Sequence, residues 1–135
     1  MATKSIVDTH ALVWHLEGNR ALGKQAKVII DEPHSELILP IIALAEAAYI
    51  VEKGRTNIPS VSDLLNDVFN DPRIEVYPLT FEILQTSLNL TAIPEMHDRL
   101  IVATGTYLQN LGETVEIITK DNEIILAGLL PVAWS

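Results

Sequence analysis

Short apolar runs alternate along the chain with longer stretches in which apolar residues recur at helical spacing. The runs fall at residues 5–8, 36–39, 74–77, 115–119 and 131–133, and they are rich in Ile, Val and Leu. Runs this short and continuous are typical of strands that are buried on both faces of a parallel sheet. The pattern therefore predicts five strands, with the last at a sheet edge, where its leading Pro131 is acceptable.

The stretches between these runs predict helices, five of them longer and two shorter. The longer ones are expected at residues 23–31, 41–53, 61–70, 80–90 and 97–109, and shorter ones at 11–16 and 122–127. Alternation of strands and helices predicts a three-layer α/β fold with a central, mostly parallel five-stranded sheet flanked by helices. Since no linker, repeat or low-complexity tract divides the chain, we expect a single domain over residues 1–135.

The composition narrows the possible functions. Nine Lys and Arg against 18 Asp and Glu give a net charge of 9 − 18 = −9, which argues against a broad basic face for nucleic acid. The absence of cysteine excludes disulfides, thiolate zinc sites and cysteine nucleophiles. Asp8 interrupts the N-terminal apolar run, and the uncharged stretch 37–45 is too short to span a bilayer. We expect a cytoplasmic protein that does not enter membranes.

Four acidic residues fall where the predicted elements meet. Asp8 and Asp121 follow the first and fourth strands, while Glu46 and Asp98 lie early on helices that start near the same edge of the sheet. Taken singly, Asp8 and Asp121 can be helix N-caps, and Asp98 can be a first-turn acid that complements the helix dipole. No single one of the three therefore identifies a site.

Glu46 is harder to explain as a structural residue. Its helical neighbours Ile42, Ala43, Tyr49 and Ile50 are all large or apolar, so its carboxylate is expected to turn inward. A buried carboxylate must be paired, protonated or bound to a cation. The structural alternatives are a rim position in water or a basic partner, for which the candidates are Lys53 and Arg55.

The four acids become informative as a set. If the first and fourth strands are neighbours, all four carboxylates converge at the carboxyl edge of the sheet, where α/β folds bind ligands. Converging carboxylates repel one another unless cations compensate them, and an oxygen-only ligand set suits Mg²⁺ or Mn²⁺. One or two such ions at Asp8, Glu46, Asp98 and Asp121 are typical of phosphodiester hydrolysis.

With these residues identified, the sequence resembles PIN-domain ribonucleases, and in particular VapC-type toxins of toxin–antitoxin pairs. The matching segments are residues 6–14, the helix that bears Glu46, residues 97–104 and residues 118–121, in the family's order. The resemblance implies a metal-dependent endoribonuclease that uses the same four acids, with Thr119 positioning metal or water and Thr9 supporting Asp8. It also implies a homodimer and a cognate VapB-like antitoxin that inserts a segment into the groove.

The sequence departs from the family at two places. The helix of Glu46 usually carries a Ser or Thr one turn earlier, where this chain has Ile42 and Ala43, and Asn122 stands where some members have another acid. The acidic composition further suggests a selective RNA substrate, for example a tRNA, rather than bulk RNA. Two alternatives remain open: a catalytically degenerate PIN-like module that binds only proteins, and a phosphoryl-accepting receiver domain.

Several neighbouring side chains have two interpretations. His10 and His97 are expected to be partly exposed histidines rather than general bases. Arg99 and Lys120 flank two of the acids and either bind phosphate or balance local charge. Trp14 is expected in the core, and Trp134 over the sheet edge or a dimer surface.

Overall fold

The computed structural model describes residues 2–135, in which five strands alternate with seven helices. The strands are β1 (Thr3–Val7), β2 (Glu36–Pro40), β3 (Ile74–Tyr77), β4 (Thr114–Ile118) and β5 (Val132–Ala133). The helices are α1 (Thr9–Glu17), α2 (Lys24–Asp31), α3 (Ile41–Glu52), α4 (Val61–Phe69), α5 (Phe81–Leu88), α6 (Met96–Asn110) and α7 (Asn122–Ala127). The predicted strands and all seven predicted helical stretches are confirmed within a few residues at each end.

The sheet is parallel throughout, with the strand order β3-β2-β1-β4-β5. The expected edge position of β5 is confirmed, and so is the contact between the first and fourth strands. This order differs from the 2-1-3-4-5 order of receiver domains, which argues against the receiver alternative. The chain leaves β1 toward β2 on one side and later returns to β4 on the other, so a topological switch point lies between β1 and β4.

The register of the two central strands brings their carboxyl ends level. Val7 pairs with Ile118, the last residue of β4, and the backbone N–H of Asp8 donates to the carbonyl of Ile118 at 3.3 Å. Asp8 then begins the connection to α1, while Thr119 to Asp121 connect β4 to α7. The two acids that follow these strands are therefore placed on either side of the switch point.

Helix α6 packs closely against the centre of the sheet because Gly105 has no side chain. A Cβ at this position would lie 2.6 Å from Cδ1 of Leu130 and 3.1 Å from Cγ1 of Ile6. Asp98 lies two turns earlier on the same face of the helix. The close approach at Gly105 thus helps to set the height of Asp98 above the sheet edge. Among residues 2–135, no helix is long and apolar enough to cross a bilayer.

Candidate active site

A pocket of about 300 Å³ opens at the carboxyl ends of β1 and β4, and all four predicted acids line it. Four separate segments supply them: the end of β1, helix α3, the start of α6 and the end of β4. The complete lining comprises Asp8, Thr9, His10, Trp14, Glu46, Ile50, Asp98, Ile101, Lys120 and Asp121. The expectation that the four acids share one location is met.

Asp8 and Asp121 each cap the helix that follows them. The backbone N–H of Ala11 donates to Oδ1 of Asp8 at 2.9 Å, and two N–H groups at the start of α7 donate to Oδ1 of Asp121. Thr119, which is fully buried, hydrogen-bonds Asp8 through its side chain and accepts the N–H of Asp121 at 3.0 Å. Capping and lining the pocket are thus compatible roles, because the cap bonds hold both carboxylates in place.

Glu46 lies at the rim of the pocket rather than fully inside it. About a third of its side chain is exposed, and its Oε1 accepts a 2.7 Å hydrogen bond from the hydroxyl of Thr9. The partner is therefore a residue of α1, not one of the basic side chains considered from the sequence. The proposed support of Asp8 by Thr9 is also wrong, since this buried hydroxyl is directed to Glu46. It supplies to Glu46 the hydroxyl partner that Ile42 and Ala43, one turn earlier on α3, do not provide.

The pKa of Asp98 is raised from 3.8 to about 7. Burial is the largest cause, and the charges of Asp121, Glu95, Glu46 and Asp8 add to it. The pKa of Asp8 is raised as well, chiefly by burial, although hydrogen bonds from Thr119 and Ala11 oppose the rise. Carboxyl groups in such an environment favour either a proton or a bound cation.

Glu95 is a part of this region that the sequence analysis missed. As the N-cap of α6 it accepts the N–H of Asp98 at 2.9 Å through Oε2, and its Oε1 lies 2.5 Å from Nδ1 of His97. Nδ1 of His97 lies 3.9 Å from Oε2 of Glu46. The hydrogen bond with Glu95 raises the pKa of His97 despite partial burial. His97 is partly exposed as expected, but it bridges two acids. The sequence offered a signal for this role, because Glu95 lies three residues before Asp98, which is the spacing of an N-cap side chain and the backbone N–H that it accepts.

The two basic residues beside the acids have different surroundings. Arg99 donates through Nε to the carbonyl of Ile93 at 2.5 Å, so it anchors the loop that precedes α6. Lys120 is exposed, lines the pocket, and places Nζ 5.4 Å from the ring centre of Trp14. The prediction of Trp14 as a core residue is wrong in part, because the indole packs on the core yet also lines the pocket.

The donor chemistry of the pocket fits a hard divalent cation. Its titratable lining is dominated by carboxylates with raised pKa values at Asp8 and Asp98, and such ligands suit Mg²⁺ or Mn²⁺. Within residues 2–135, however, no three acidic or histidine side chains are grouped closely enough to hold an ion as they stand. Like charges repel, so an ion that binds in the pocket would have to draw the carboxylates together.

Comparison with known proteins agrees with this fold. The model of the PIN domain family matches residues 5–127, which is most of the chain, so the protein belongs to the PIN domain family. PIN domains are generally metal-dependent nucleases. The solved structure of FitAcB from Neisseria gonorrhoeae has the same fold, with a TM-score of 0.63 and 12% sequence identity over 95% of each chain. No curated protein matches the sequence.

Proposed function

We propose that this protein is a Mg²⁺- or Mn²⁺-dependent endoribonuclease that hydrolyses RNA phosphodiester bonds. The observation that carries the proposal is the pocket in which four carboxylates from four segments meet, with the pKa of Asp98 raised to about 7. If each acid had only a structural role, the four would have no reason to share a pocket in which each one makes ionisation of its neighbours less favourable. Membership of the PIN domain family supports the same conclusion.

Asp8, Glu46, Asp98 and Asp121 would hold one or two ions. Ions held there would supply Lewis acidity, which would favour deprotonation of the attacking water and stabilise the charge that develops on the phosphate. The protein's own contribution is orientation. Thr119 holds Asp8 from beneath, the cap bonds of α7 hold Asp121, and Thr9 directs Glu46 toward the pocket.

We further propose that the enzyme is the toxin of a VapBC-type pair and acts as a homodimer. A chain with a net charge of −9 has little electrostatic attraction for bulk RNA, which favours a selective substrate such as a tRNA. The same acids would attract a basic segment of a VapB-like antitoxin, which would then compete with the metal and the substrate. The resemblance to VapC-type toxins supports this more specific part of the proposal.

The proposal is tested by cleavage of a total small-RNA pool, with Mn²⁺ and with chelator, and by mapping the ends of the fragments. We expect discrete metal-dependent cuts by the wild type and none by Asp98→Asn. The matched control is Asp63→Asn, because Asp63 is the third residue of α4 as Asp98 is of α6 but is not among the residues that line the pocket. Cuts that survive in Asp98→Asn would refute the assignment of the site.

One observation supports the alternative, a degenerate PIN module that binds only proteins: in the part of the chain that the structure describes, no three acidic or histidine side chains are grouped closely enough to hold an ion. Calorimetric titration with Mn²⁺ separates the two functions. The nuclease proposal expects binding that is weakened at least tenfold in Asp98→Asn, as is usual when a metal-site group is lost. Absence of Mn²⁺ binding to the wild type, together with inert behaviour on RNA, would favour the binding module.

A further inference from the structure

Three aromatic rings and a lysine form one cluster at the side of the acidic pocket. The ring centre of Trp14 lies 5.5 Å from that of His10 and 5.9 Å from that of Trp134, with both pairs tilted. Lys120 places its ammonium 5.4 Å from the centre of the Trp14 ring. His10, Trp14 and Lys120 also line the pocket that contains the four acids. Aromatic rings and a lysine ammonium thus line the same pocket as the proposed catalytic acids.

The N-terminal part of α2 holds Trp134 in place behind Trp14. The N–H of Ala26 donates to the carbonyl of Trp134 at 3.0 Å, and the side chain of Gln25 accepts the N–H of Trp134 at 3.2 Å. A Cβ at Gly23 would lie 2.1 Å from the carbonyl oxygen of Trp134, so only glycine allows this approach. The backbone therefore fixes Trp134, and Trp134 in turn limits the positions open to the Trp14 ring.

The charge of the protein makes such a surface useful for binding RNA. The net charge is −9, and four acids surround the place where a phosphate would enter, so phosphate attraction contributes little affinity. Stacking of a base on an aromatic ring depends only weakly on the net charge of the protein. A base must be unpaired to stack in this way. An ammonium that rests over the ring is within reach of a phosphate when a base takes its place.

We propose that Trp14 and Lys120 form a nucleotide subsite, in which an unpaired RNA base stacks on the Trp14 indole and Lys120 contacts its phosphate. This inference rests on the proposed ribonuclease function and specifies its substrate further. The enzyme then requires an unpaired nucleotide, as in the loop of a folded RNA, next to the phosphodiester bond that it cuts.

Binding is tested with the indole of Trp14 as its own reporter. The chain has two tryptophans, so Trp134→Phe leaves Trp14 as the only tryptophan, which can be excited selectively over the three tyrosines, while a ring remains at position 134. We would titrate this variant, in chelator to prevent cleavage, with a short oligouridylate and with its abasic counterpart. The two probes carry the same phosphates, so the repulsion by the acids is the same for both.

We expect oligouridylate to quench Trp14 fluorescence and to bind roughly five- to one-hundred-fold more tightly than the abasic probe, because one stacked base is gained. Lys120→Gln should lower the slope of log K against log salt by about 0.7, the value for one phosphate contact on a single strand. Equal affinity for both probes without quenching would overturn the subsite. An unchanged salt slope in Lys120→Gln would overturn the role of the lysine.

Cleavage by variants of Trp14 separates this subsite from the proposed function. Trp14→Phe should retain the sites cut by the wild type, whereas Trp14→Leu should raise KM and lose the preference for loop nucleotides. A wild type that cleaves RNA with Mn²⁺, while a folded Trp14→Leu cleaves the same sites with the same KM, would refute the subsite and leave the nuclease intact. Quenching of Trp134→Phe by oligouridylate, together with a wild type that neither binds Mn²⁺ nor cleaves RNA, would support the subsite and refute the nuclease.

Discussion

Replacement of Asp98 by Asn tests whether the four acids of the pocket repel one another in the folded protein or whether Asp98 simply stabilises its own helix. Asn has nearly the same shape but no charge. If Asp98 mainly complements the dipole of α6, its loss should destabilise the fold by about 0.3–1 kcal/mol. If Asp98 is instead forced into a pocket with three other acids, its loss should stabilise the metal-free protein. The two explanations therefore differ in sign.

The magnitude follows from the pKa of Asp98. A rise from 3.8 to about 7 corresponds to about 4 kcal/mol at 1.36 kcal/mol per pH unit. Because the side chain is only half-buried and solvent screens part of its charge, we take about 2 kcal/mol. The folded state binds the proton more tightly than the unfolded state. Wild-type stability should therefore fall as the pH rises from about 4 to about 7 and stay low above that range.

Thermal or urea unfolding in chelator, at about pH 4.5 and about pH 8.5, measures the effect. Asp98→Asn should match the wild type to within about 0.5 kcal/mol at the lower pH. At the higher pH it should gain about 2 kcal/mol, or roughly 5–10 °C in Tm for a chain of this size. Asp63→Asn, at the equivalent position of α4, should lose a few tenths of a kcal/mol at the higher pH. Mn²⁺ should then stabilise the wild type and Asp63→Asn, but Asp98→Asn much less.

A loss of stability in Asp98→Asn at pH 8.5, equal to that in Asp63→Asn, would refute the electrostatic reasoning. Equal stabilisation of the wild type and Asp98→Asn by Mn²⁺ would show that any ion binds elsewhere. The two results concern different steps of the argument, since the first measures repulsion within the pocket and the second measures ion binding there.

Other parts of the structure give further predictions. Thr9→Val removes the hydroxyl that holds Glu46 and should weaken Mn²⁺ binding about 10–100-fold by calorimetry, whereas Thr9→Ser should restore it. Gly105→Ala places a Cβ 2.6 Å from Leu130 and should cost about 1–3 kcal/mol in urea unfolding, with a smaller cost when Leu130→Ala is present. Glu95→Ala removes the N-cap of α6 and should cost about 1 kcal/mol, while Glu95→Gln, which can still accept the bond, should cost less.

The sequence by itself determined the order and type of the elements. Continuous apolar runs such as residues 37–39 are typical of strands that helices cover on both faces, as in a parallel sheet. It also determined that Asp8 and Asp121 would follow strand ends, because Asp8 comes directly after Ile6-Val7 and Asp121 comes three residues after Ile118. The carboxyl ends of adjacent parallel strands must then lie at one edge of the sheet.

Only the tertiary structure decided how these residues interact. Glu46 takes its hydrogen bond from Thr9, 37 positions earlier in the chain, which no local spacing could reveal. The raised pKa of Asp98 comes from burial and from acids on other segments, so it exists only once the chain has folded. Most sequence neighbours of Trp14 are apolar and predict a core position, but in the folded protein one side of its indole lines the pocket. Exposure depends on which other elements cover a residue, and local sequence does not show this. Helical spacing fixes a side chain's face, whereas packing between distant segments fixes what that face meets.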